Sequence, residues 1–134
     1  MKRWYFSILV MGPLALGTFA AEASPVQLTA EQIAVVERTV RSLLEDQTNA
    51  TFGKPSATTI SSGSIMVCGR YNAKSGFGGY SGQTAYMGRF DSADSETKYL
   101  PAFDIITMPE NQSETDDLLK FCADSGADPP PVGN

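Results

Sequence analysis

Val67-Cys68-Gly69-Arg70-Tyr71-Asn72-Ala73-Lys74-Ser75-Gly76-Phe77-Gly78-Gly79-Tyr80-Ser81-Gly82 joins a strand to a shaped loop. The apolar run Ile65 to Cys68 enters it with strand character. Four glycines then fall within seven positions, at 76, 78, 79 and 82. Glycine serves where φ must be positive or where another group must approach the backbone closely, so this density predicts a loop with a defined shape. Side chains alternate between the two faces of a strand. Met66 and Cys68 therefore share one face, while Val67 and Tyr71 share the other.

Upstream, Met1-Lys2-Arg3 is basic and Trp4 to Ala21 is apolar except for Ser7 and Thr18. Ala21-Glu22-Ala23 places small residues at the −3 and −1 positions of a cleavage site. This pattern predicts a secretory signal peptide over residues 1–23, cut between Ala23 and Ser24. Pro13 and the small-residue end disfavour an uncleaved membrane anchor. The residue directly after the cut is Ser24 and not cysteine, so a lipoprotein is not expected. The expected localisation is periplasmic or secreted, with no membrane anchor after cleavage.

Without Lys2, Arg3 and Glu22, the remainder carries eight basic and fourteen acidic residues, a net charge of −6. An acidic domain lacks the cationic surface that drives binding to nucleic acid or anionic membranes, and neither is expected as a partner. Cys68 and Cys122 are the two cysteines. In an oxidising compartment they are expected to pair, and the loop-entropy model gives such a bridge about 4 kcal/mol.

From this centre the fold is read in both directions. Thr29-Ala30-Glu31-Gln32 has the form of a capping box. Ile33, Val36, Val40, Leu43 and Leu44 follow on one helical face, predicting a helix of about four turns. Strands are expected up to Ile60, over 65–72, over about 83–90 and over about 99–108, with Pro101 confining the last to an edge or a bulge. A short helix capped by Ser113 or Thr115 would present Leu118, Leu119 and Cys122. The Pro/Gly-rich segment 124–134 is expected to bury nothing and to be disordered or polyproline-like. The predicted architecture is one α+β domain over 24–123. It has an N-terminal helix, a three- to four-stranded antiparallel meander, a short C-terminal helix and one disulfide. Both helices are expected on the Cys68 face, and Val67 and Tyr71 are expected to point to the other side, exposed or covered by sheet twist.

Leu43 to Phe52 reads L-L-E-D-x-x-x-A-x-F. Together with the glycine-rich stretch and a C-terminal helix ending in cysteine, it resembles a group of small exported bacterial proteins of unknown function. Their signature is C-G-x-x-N-x-K-N-x-x-G-G-Y-x-G. Cys68, Gly69, Asn72, Lys74, Gly78, Gly79, Tyr80 and Gly82 match it, and Ser75 stands where the pattern has asparagine. The resemblance implies export and a shared fold, and no activity.

Chemistry is narrowed by elimination. The chain has no histidine, which removes Ser-His-Asp and Cys-His catalysis and the usual zinc ligands. Lys74-Ser75 lacks the glycines of a P-loop, and Gly76-Phe77-Gly78 lacks the third glycine and the helix of a dinucleotide fingerprint. A Ser-Lys dyad at Lys74 has nothing to lower its pKa. Asp91, Asp94, Glu96 and Asp104 are the carboxylates a glycoside hydrolase would draw on, but the first three read as a solvated turn. No enzyme, cofactor or metal is expected. The expected function is a non-enzymatic interaction module whose partner is another exported or envelope protein. Its contact residues would be Arg70, Asn72, Lys74, Phe77, Gly78, Gly79 and Tyr80, where cationic and amide groups adjoin exposed aromatics. The alternative is a binding module for a small anion or a carbohydrate. Intact mass after export is expected to show cleavage before Ser24 and the loss of two hydrogens; a free-thiol mass would remove the bridge.

Overall fold

A computed structural model of the chain describes residue 12 and residues 24–61, 63–74, 80–91 and 102–133, with backbone alone at residues 74 and 80–82. Among these residues there are six strands and two helices. They are β1 (Pro25–Val26), α1 (Ala30–Ser42), β2 (Thr51–Phe52), β3 (Ser56–Thr59), β4 (Ile65–Lys74), β5 (Tyr80–Phe90), β6 (Phe103–Thr107) and α2 (Gln112–Asp124). The signal-peptide reading and the residues Ser75 to Gly79 lie outside the described residues. The antiparallel sheet has the order β1-β3-β4-β5-β6, and the two-residue β2 pairs with β4 beyond the end of β3. It therefore has more strands than the expected three to four. The extra ones are two residues long, too short for a period-two pattern to register.

α1 begins where the capping box places it. Thr29 Oγ1 accepts from the Gln32 N–H at 3.1 Å, and the Thr29 N–H donates to Gln32 Oε1 at 2.9 Å. Val36 and Val40 are fully buried. Leu43, expected on the same stripe, is 59% exposed because it is the C-cap residue, where the chain leaves the helix. Arg41 then ties down the segment that follows. Its guanidinium donates to the carbonyls of Gln47 and Ala50, at 2.5 and 3.4 Å, and lies 4.9 Å over the Phe52 ring. Asp46 accepts from the Thr48 N–H and hydroxyl and from Asn49, and these bonds hold its carboxyl below the usual range. β2 is thereby delivered to the edge of β4, with Thr51 opposite Asn72 and Phe52 opposite Tyr71.

The two helices lie on opposite faces of the sheet, which corrects the expectation of both on one. Val67, Tyr71, Tyr86, Phe90 and Phe103 pack with Val36 and Val40 of α1. Met66, Cys68 and Ala85 pack with Leu118 and Cys122 of α2. The face bearing Val67 and Tyr71 is thus covered by a helix. β4 has to satisfy apolar residues on both sides, and one helix cannot cover two faces.

Two glycines make the α1 face close. A Cβ at Gly69 would stand 2.1 Å from the Tyr86 ring, and one at Gly88 would stand 2.3 Å from the Phe103 ring. Each aromatic ring fills the space that a side chain on the facing strand would take. Tyr86 continues a tilted row with Tyr71 and Phe52, the centroids 6.3 and 6.1 Å apart. Burial pushes the Tyr86 phenol well above its ordinary pKa, the charge of Glu37 adds in the same direction, and its buried hydroxyl has no hydrogen-bond partner.

α2 is capped one turn earlier than expected. Asn111 Oδ1 accepts from the Glu114 N–H at 2.9 Å, so Thr115 is a buried helical residue and not a cap. The expected disulfide is present, joining Cys68 to Cys122 with Cα atoms 6.3 Å apart. The helix stops in a Schellman motif. Gly126 takes a φ of 84°, its N–H donates to Ala123 and the Ala127 N–H donates to the Cys122 carbonyl. β6 is an edge strand as expected, with the register shifting between Met87 and Gly88 so that Ile106 lies outside the pairing. No described helix is long and apolar enough to cross a membrane.

Gly69→Ala is expected to destabilise the chain by about 1–3 kcal/mol, through overpacking against Tyr86. Gly133→Ala, where an added Cβ meets nothing, is expected to change stability by less than about 0.5 kcal/mol. Urea unfolding checks both, and equal midpoints would overturn the packing of Tyr86 on Gly69.

Candidate functional site

The segment Asp128-Pro129-Pro130-Pro131-Val132 begins with three prolines after its aspartate. Proline has no N–H and a fixed φ, so this segment cannot join a ladder as a donor. It offers carbonyl oxygens only, and the surface that receives it must supply the donors. The α2 face of β4 and its neighbours does so. Ser56 Oγ donates to the Asp128 carbonyl at 2.9 Å, and Arg70 Nε donates to the Pro129 carbonyl at 3.0 Å. The first N–H after the prolines, that of Val132, donates to Gln83 Oε1 at 3.3 Å.

Residues 127–133 therefore form a strap across the sheet, and the segment expected to be disordered is docked. Ala127 and Pro129 are buried. The strap passes over Gly53, where an added Cβ would meet the Pro130 and Pro131 carbonyls at 3.2 and 3.5 Å. The composition of the segment suggested solvation. However, prolines lose little backbone entropy on ordering, so a few contacts suffice to hold them.

Of the residues read from the sequence, Arg70 and Asn72 share one strand face, and Arg70 is held by this strap. Both project from the α2 face of β4, and Asn72 lies opposite Gln83 in the β4–β5 register. Arg70 is engaged by the Pro129 carbonyl. Its second contact, to the Asp128 carboxylate at 3.9 Å, is an exposed pair worth little. Arg70 is thus not a free cation awaiting an anion. Asn72 Oδ1 is buried and has no hydrogen-bond partner among the described residues.

Lys74 and Tyr80 face each other in register at the far end of β4 and β5, and nothing is described of their side chains. Phe77, Gly78 and Gly79 lie outside the described residues. Sequence reasoning missed Ser56, Gln83, Asp128, Pro129 and Val132. The available signal was the proline triplet placed directly after a disulfide-held helix.

Two further features adjoin these residues. β6 pairs with β5 only from Met87 to Phe90, so among the described residues no strand pairs with the outer edge of β5 over Tyr80–Tyr86. A groove of about 550 Å³ opens where the strap begins, lined by Pro25, Val26, Ile33, Lys54, Ser56 and Asp128 among others. No three histidine, cysteine or acidic side chains gather as a metal site among the described residues. Comparison with known protein families, characterised proteins and solved structures finds no match for the chain.

Arg70→Ala is expected to cost about 1–3 kcal/mol, by removing a charged donor from a buried carbonyl. It is also expected to open residues 127–133 to limited proteolysis before the sheet unfolds. Equal resistance of the variant and wild-type straps would show that Arg70 does not hold them.

Proposed function

We propose that the chain is an exported, non-enzymatic interaction module that docks on another exported or envelope protein through residues 72–82 and the adjoining edge of β5. The observation that carries this reading is the outer edge of β5 over Tyr80–Tyr86, with which no strand pairs among the described residues. A strand edge presents N–H and C=O groups in a row, and an extended segment adds to it by main-chain hydrogen bonding. The glycine-rich stretch with Phe77 and Tyr80 joins β4 to β5 in sequence and would supply side-chain specificity.

Export rests on the leader-like residues 1–23, on the resemblance of the Cys68–Gly82 stretch to small exported bacterial proteins, and on a disulfide that suits an oxidising compartment. The periplasm or the extracellular space is the working location. Absence of histidine from the chain supports the non-enzymatic reading. The small-anion alternative is weakened because Arg70 is occupied by the strap.

Photo-crosslinking in the native envelope tests the proposal, with the probe placed at Phe77 and, separately, at the exposed Leu43. A recurrent protein adduct from Phe77 and none from Leu43 is expected. Adducts from both positions, or from neither, would take the docking role away from this end of the sheet.

A further inference from the structure

The strap shows what the α2 face of β3, β4 and β5 recognises. Each hydrogen bond to it reaches main chain: the Asp128 carbonyl, the Pro129 carbonyl and the Val132 N–H. The prolines supply shape, with Pro129 buried, and the aspartate supplies a charge on the Arg70 side. Contacts of this kind select a class of segment and not one sequence. A proline-rich stretch is already extended and so binds with a small ordering cost.

The strap also fits its trench incompletely, in two places. Between the Arg70 and Gln83 anchors it consists of Pro130 and Pro131, which have no N–H to give, and the Asn72 Oδ1 acceptor on the same face has no partner among the described residues. At its other end the chain turns away into α2 at Gly126, while the 550 Å³ groove runs on past Ser56 and Asp128 toward Lys54 and β1. A segment not joined to α2 would place its preceding residues in that groove.

We propose that this trench is a recognition site for an extended, proline-rich segment of another exported protein, and that the chain's own strap fills the site in cis. A tethered occupant competes at an effective concentration in the millimolar range, so the intact chain holds the site largely closed. This surface lies on a face of the sheet and shares only Asn72 with the docking site at the β5 edge. Either proposal can therefore fail while the other stands.

The test uses the full chain and a fluorescein-labelled peptide with the sequence of residues 125–133. In one variant the strap is weakened by Asp128→Ser with Pro129→Ser. Fluorescence anisotropy is expected to show this variant binding the peptide about tenfold or more tightly than the wild type, and Arg70→Ala in the same background is expected to remove that gain. No gain in a variant whose disulfide and circular dichroism are intact would overturn the proposal, as would a gain that survives Arg70→Ala. Should the weakened variant not fold, hydrogen exchange of the Val132 amide in the wild type decides. Millimolar peptide is expected to accelerate it, and unchanged protection would overturn the proposal.

Discussion

The Cys68–Cys122 bond joins the middle of the central strand to the last turn of α2, and everything on that side of the sheet takes its position from this point. Both cysteines are fully buried. The covalent link therefore also brings Leu118 and Ala127 onto Met66 and Ala85, in a cluster too small to hold a helix by itself. A bridge over a sequence separation of 54 contributes about 4 kcal/mol by the loop-entropy model, against a total of about 5–15 kcal/mol for a typical domain. The Schellman turn at Gly126 then converts the position of the helix into the direction of the strap. The strap's first bond, from Ser56, lies only six residues after the cysteine.

The opposite face follows a different logic. Val36 and Val40 of α1 are held against Val67, Tyr71 and Tyr86 by burial and shape, without a covalent tie. The fit depends on glycine at positions 69 and 88, which lets two aromatic rings lie flat on the neighbouring strand. Here the sheet is thin where the backbone is bare and thick where the rings are. The helix sees an even surface.

Much of this was legible in the residues. The capping box at Thr29, the apolar stripe of α1, the strand through Cys68 and the disulfide all rest on local signals that tertiary structure did not override. The placement of the helices was not legible, because Val67 and Tyr71 announce an apolar face without saying what covers it. Gly69 in the middle of that face reads as a gap until Tyr86 is known to fill it. The strands β1 and β2 are too short to carry a period. The strap was misread because composition measures average tendency. Its docking depends on three donors and acceptors, Ser56, Arg70 and Gln83, brought together only by the fold. Of the candidate site, Arg70 and Asn72 were recognised as a pair on one strand face, and their occupant was not.

The order of contacts along the strap has a mechanical meaning. A pull on the chain beyond Val132 loads the bonds one after another, first at Gln83, then at Arg70, then at Ser56. Such peeling needs little force, because no two bonds resist together. It ends at Cys122, where the load passes through a covalent bond into the centre of β4. The chain is thus built to yield at its C-terminal strap and to hold at its sheet, a compliant leash fastened to a rigid plate.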